Sequence, residues 1–102
     1  MQLEQYSAEL LKEQLKAIFR KHLEGQHYKA FFFGSRVTGE SKNISDIDVG
    51  IESNSEIDSE IWLNLQEDVF ELPLIIKIDL VDFKRVTESF KKIATQKIEL
   101  IY

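Results

Sequence analysis

The chain predicts an α/β fold of the α+β kind, a small mixed β-sheet packed against helices. Three observations carry this expectation. Helix-period and strand-period stretches alternate from one end to the other. Residues 46–51 (DIDVGI) alternate polar and apolar one by one, the period of a half-buried strand. Two strand-like stretches stand only about a dozen mostly polar residues apart, short for a crossover between parallel neighbours, so the sheet is expected to be mixed.

The elements follow in the order α-β-α-β-α-β-α-(β). Over residues 7–24, Leu11, Leu15, Ile18, Phe19 and Leu23 fall on one helical stripe, with Ser7 placed to cap the start and Gly25 the end. Residues 28–33 read as a buried strand, with three consecutive phenylalanines stopped by Gly34. Residues 34–40, bracketed by glycines, suit a turn opening into a brief helix. In residues 46–51, Asp46, Asp48 and Gly50 face one way, and Ile47, Val49 and Ile51 the other. Residues 57–71 form a helix with a wide apolar face of Ile57, Ile61, Trp62, Leu65 and Val69. Pro73 ends it and opens a strand over 74–81. A weaker helix spans 87–96 on Phe90, Ile93 and Ala94, and IELIY (98–102) is a short terminal strand.

At 102 residues, with 43% apolar and 30% charged residues, the chain is expected to fold as a single soluble domain over 1–102. Thirteen basic against eighteen acidic residues leave a net charge of −5, which argues against sequence-independent nucleic-acid binding. No cysteine is present, so disulfides and thiolate metal sites are excluded. The absence of a signal-like start or a membrane-length apolar run points to the cytoplasm and away from the membrane.

The chemistry concentrates in FFFGSRVTGESKNISDIDVGI, residues 31–51. Asp46 and Asp48 project side by side from one strand, where two ionised carboxylates repel and are costly to bury unpaired. A divalent cation between them makes the arrangement favourable, and hard oxygen ligands without His or Cys select Mg²⁺ or Mn²⁺. Asp79, inside the apolar run LIIKIDLV, is the third carboxylate of a site for two metal ions that clamps an in-line phosphoryl displacement. Gly34 and Ser35 end a strand at a helix start, where backbone N–H groups and a hydroxyl cradle an anion. Arg36 adds a planar fork suited to phosphate. Each feature alone is common; strand-Gly-Ser, ten intervening residues, then D-x-D and a later buried Asp is far more specific. The remaining candidates read as scaffold. His22, His27 and the basic cluster Lys84-Arg85, Lys91-Lys92 are expected to be solvated, and Trp62 to sit in a core or interface.

This block, G-S followed after ten residues by D-x-D, resembles the signature of the DNA polymerase β-like nucleotidyltransferase superfamily. The length, KIDLVD and the ending IELIY look most like its minimal nucleotidyltransferases (MNT), the MntA-type antitoxins. The resemblance covers the chain from about residue 10 to its end. It departs where Val37 or Thr38 replaces a familiar alanine and Lys97 a familiar glycine, neither of them a metal ligand. It implies the nucleotidyltransferase core fold, with Gly34 and Ser35 on the β- and γ-phosphates of ATP. Asp46 and Asp48 would hold two Mg²⁺ (or Mn²⁺) ions, and Asp79 would complete the site and act on the acceptor hydroxyl. The implied activity is transfer of AMP from ATP to a tyrosine of a cognate HEPN-domain toxin. Two alternatives stand beside it: a non-catalytic antitoxin that works by occlusion, and nucleotidyl transfer to a small molecule. So small a chain has no domain to wall in the base, so an oligomer or the toxin complex would complete the pocket.

Overall fold

The apolar stripe near the amino terminus becomes helix α1 (Ala8–His22) because Leu11, Leu15 and Phe19 recur every four residues and all become fully buried. The Ser7 hydroxyl caps it, accepting from the Leu10 N–H at 3.3 Å. The Leu23 N–H donates to the Phe19 carbonyl at 2.7 Å, and Gly25, at φ +86°, turns the chain towards the sheet. The structure is a computed structural model and describes residues 7–34, 46–74 and 77–102. The brief helix expected within 34–40 lies, beyond Gly34, outside the described residues.

Strands β1 (Tyr28–Phe33), β2 (Ile47–Ser53), β3 (Ile78–Asp82) and β4 (Glu99–Leu100) form one sheet in the order β3-β2-β1-β4. β1 pairs antiparallel with β2 and with β4, whereas β2 and β3 run parallel. The sheet is therefore mixed, as the short β1–β2 connection predicts. Helix α2 (Ser59–Phe70), capped by Asp58, supplies the crossover between the parallel pair. Helix α3 (Glu88–Ala94), capped by Thr87, links β3 to β4.

One expected strand is shorter than the apolar run suggests. Of the span 74–81, Leu74 leaves α2 in a turn, its N–H donating to the Leu72 carbonyl at 2.7 Å, and β3 begins only at Ile78. Residues 75 and 76 of that span lie outside the described residues.

The two faces of the sheet are covered unequally, and this places the site. Ala30, Phe32, Ile47, Val49 and Ile51 build the main core with α1 and α2, and Ile78 and Leu80 pack against it. The opposite face carries Phe31 and Phe33, Asp48 and Gly50, and Asp79 and Val81. There a smaller core of Phe31, Phe33 and Phe83 gathers Val81, Val86, Ala94 and Ile98. Among the described residues, that cover gathers at one end of the face. Phe33 marks its border, edge-on to Phe83 at 5.2 Å and to Phe90 at 6.3 Å. Beyond the border lie the aspartates.

Gly50 shows how tightly the smaller core closes. A Cβ there would stand 2.5 Å from Phe83 Cε1 and 2.6 Å from Phe31 Cε2, both on buried rings. Gly50→Ala is expected to destabilise the fold by about 1–3 kcal/mol through overpacking, read as a lower urea midpoint at unchanged slope.

His22 departs from its expected solvated setting. Its side chain is only 13% exposed, and Nε2 lies 2.6 Å from Asp68 Oδ2, tying α1 to α2. Lys21 Nζ joins the same oxygen at 3.3 Å, and these contacts, the His22 hydrogen bond first, hold the Asp68 carboxyl below the ordinary carboxylate range. His27 is exposed as expected, and Trp62 packs half-buried against the main core. Among the described residues, no helix is long and apolar enough to cross a membrane.

Candidate active site

Asp48 and Asp79 are direct neighbours in the parallel ladder of β2 and β3. They share one end of that sheet face, because residues in register on adjacent strands project to the same side. Asp46 stands just before β2, exposed, two residues from Asp48 and on its side of the chain. On the other flank Asp48 pairs in register with Phe33, the last residue of β1. The carboxylates predicted from three separated positions thus come to one edge of one face.

Gly34 closes the arrangement from behind. It has φ +83°, the left-handed region that favours glycine. A Cβ built on it would run into the Asp48 carboxylate, with Cγ at 3.2 Å and Cβ at 3.4 Å. The backbone of Gly34 therefore lies against the Asp48 carboxylate. Ser35 and Arg36, the other expected phosphate contacts, lie outside the described residues.

Electrostatics mark Asp48 as the stressed member. Burial above all, then the charges of Asp79 and Asp46, push its carboxyl above the ordinary range. Asp79 is relieved by a cation: Lys77 Nζ lies 3.2 Å from its Oδ1. Sequence reasoning passed over Lys77, although its place two residues before Asp79 signals a shared side of the chain. The Lys77 carbonyl also accepts from the Ile47 N–H at 3.0 Å, fastening the chain beside Asp46.

The donor set fits a hard divalent cation by its chemistry, being all oxygen, anionic and under-compensated at Asp48. Among the described residues, however, no three His, Cys, Asp or Glu side chains converge closely enough to hold a metal ion. A cation would have to draw Asp46, Asp48 and Asp79 together.

The basic cluster belongs elsewhere. Arg85 bonds Glu56 at 3.0 Å and reaches Asp82 at 3.4 Å, and Lys91 pairs with Glu52, near the far end of β2.

Comparison with known proteins agrees with this geometry. Residues 13–102 match the family model described as Polymerase beta, Nucleotidyltransferase. A Haemophilus influenzae protein described as a probable protein adenylyltransferase MntA is 36% identical over 66 residues, covering 65% of this chain and 58% of that protein. The chain thus spans less than two thirds of the length of that relative. Among solved structures, a toxin–antitoxin crystallised with AMP-PNP superposes with a TM-score of 0.70 at 18% identity, over 89% of this chain and 72% of the other. The complex of a tri-AMPylated Shewanella oneidensis HEPN toxin with its MNT antitoxin gives a TM-score of 0.66 at 17% identity, over 91% and 70%. These two likenesses show a shared fold.

Proposed function

The chain belongs to the polymerase beta nucleotidyltransferase family, and from that premise we propose that it is a protein adenylyltransferase. It moves AMP from ATP to a tyrosine hydroxyl of a cognate HEPN-domain toxin and so acts as the antitoxin of the pair. The observation that carries the reading is the in-register pairing of Asp48 with Asp79, backed by the left-handed Gly34. The likeness to the MntA relative supports the acceptor class, as do the MNT–HEPN complex and the AMP-PNP complex. Residues 1–102 are read as one minimal domain, supported by a single sheet that carries both cores, and the proposed place of action is the cytoplasm.

The acceptor oxygen attacks the α-phosphorus in line, forming a new P–O bond as the bond to the departing pyrophosphate breaks. Asp79, half-exposed, takes the hydroxyl proton. Gly34, Ser35 and Arg36 hold the β- and γ-phosphates and so fix the direction of the leaving group. Asp46, Asp48 and Asp79 would hold Mg²⁺, or Mn²⁺ in its place, which supplies charge neutralisation for the polyphosphate.

Labelled ATP, Mg²⁺ and the purified toxin should yield label on a toxin tyrosine. A toxin silenced by the protein without ever taking label would overturn transfer in favour of occlusion. Independently, saturating Mg²⁺ with a non-hydrolysable ATP analogue should stabilise the protein by about 2–4 kcal/mol, seen as a raised melting temperature.

A further inference from the structure

Among the described residues, a cation, Lys77, stands beside the three aspartates. Extending the β2–β3 register one step back from Ile47 and Ile78 sets Lys77 opposite Asp46, just as Asp79 stands opposite Asp48. The hydrogen bond from the Ile47 N–H to the Lys77 carbonyl holds that step in place. Four charged residues thus make a two-by-two patch, acid and base on the first row, acid and acid on the second. The Lys77 ammonium reaches along its own strand to Asp79 Oδ1 at 3.2 Å.

Resting on the metal-site reading above, we infer that Lys77 is the resident counter-ion of this patch. It holds Asp79 while no divalent cation is bound and yields it when one arrives. Loading the site is then an exchange of one cation for another rather than a filling of empty space.

Three features favour a displaceable contact over a fixed structural one. The Lys77 side chain is 71% exposed and Asp79 38% exposed, so the pair is well solvated and held weakly. Lysine offers a compact charge on a flexible stem, without the two-pronged grip that arginine would place on a carboxylate. Among the described residues Asp48 has no such cation beside it, although it stands in register with Asp79. A divalent cation relieves both carboxylates at once, which the single ammonium does not. The exchange also discourages casual metal binding, because a cation must displace Lys77 before it gains Asp79.

The experiment is a Mn²⁺ titration without nucleotide, followed by electron paramagnetic resonance, on the wild type and on K77M, K77R and K92M. The affinity of K77M for Mn²⁺ should rise about three- to tenfold, because a competing charge beside the ion is gone. K77R should bind Mn²⁺ more weakly than the wild type, its fork gripping Asp79 more firmly. K92M, which loses the same charge from α3, should stay within about twofold of the wild type. Circular dichroism melts confirm that each variant is folded. If K77M binds Mn²⁺ as the wild type does, or K92M gains as much as K77M, the inference is overturned while the metal-site reading stands. If the folded wild type and its variants take up no Mn²⁺ at all, both are overturned.

Discussion

Asp48→Asn is expected to cut AMP transfer to the toxin by about a hundredfold or more, yet to raise the melting temperature of the unloaded protein. The two effects share one cause. Asp48 is half-buried between Phe33 on β1 and Asp79 on β3, and its charge is opposed by burial, by Asp79 and by Asp46. The amide keeps the shape and removes the charge, so the unloaded fold loses a repulsion and the site loses an anionic oxygen ligand. The pH dependence gives the sign. Because the folded-state pKa is raised, the native protein holds the Asp48 proton more tightly than the unfolded chain does. Wild-type stability contributed by this group is therefore greatest below the ordinary carboxylate value. It falls as pH rises through the elevated one. The melting-temperature gap between Asp48→Asn and wild type should be widest near neutrality and close on acidification below that window. Undiminished labelling of the toxin by the variant would remove Asp48 from the machinery, and a melting temperature lower at pH 7 would contradict the charge argument.

Such a trade between stability and activity is what a site looks like when the sequence is locally at odds with its fold. That conflict is legible in the chain. Alternation in 46–51 puts Asp46 and Asp48 on one side, and an apolar run around Asp79 poses the same problem a second time. The first two helices are equally legible, because the Ser7 cap and the apolar stripes of 7–24 and 57–71 are local features. What periodicity does not carry is register. That Asp48 meets Asp79 is a matter of strand pairing across the parallel crossover through α2, which neither stretch of sequence states. The same holds for His22, whose partner Asp68 is 46 residues away, so its setting is decided by α1 meeting α2. Apolar content likewise overstated β3, since burial and ladder pairing are different properties and only the first is written in hydrophobicity. Lys77 was hidden for another reason. A lysine in a strand reads as a solvated edge until the neighbouring strand supplies the acid beside it.

Gly34→Ala should separate backbone strain from damage to the site, because the protein contains its own control. Gly25 and Gly34 have nearly the same backbone, φ +86° and φ +83°. An alanine at either pays the left-handed penalty, about 1–2 kcal/mol. Around Gly25 an added Cβ meets nothing within 4 Å, whereas at Gly34 it drives into the Asp48 carboxylate. Gly25→Ala should therefore lose stability by that amount and keep its transfer rate. Gly34→Ala should lose stability as well, but its transfer rate should fall by about a hundredfold, the scale of a misplacement of about 1 Å in a catalytic group. Displacing Asp48 also offers its charge more water, so the stability lost at Gly34 should not greatly exceed that at Gly25 even as activity collapses. Chemical denaturation and a labelled-AMP assay on the two alanine variants, measured side by side, test this. Equal transfer by both would show that the close contact between the Gly34 backbone and Asp48 does not position the carboxylate. A loss confined to Gly34→Ala would tie the glycine of the Gly-Ser turn to catalysis through the carboxylate it backs, in addition to any phosphate it cradles.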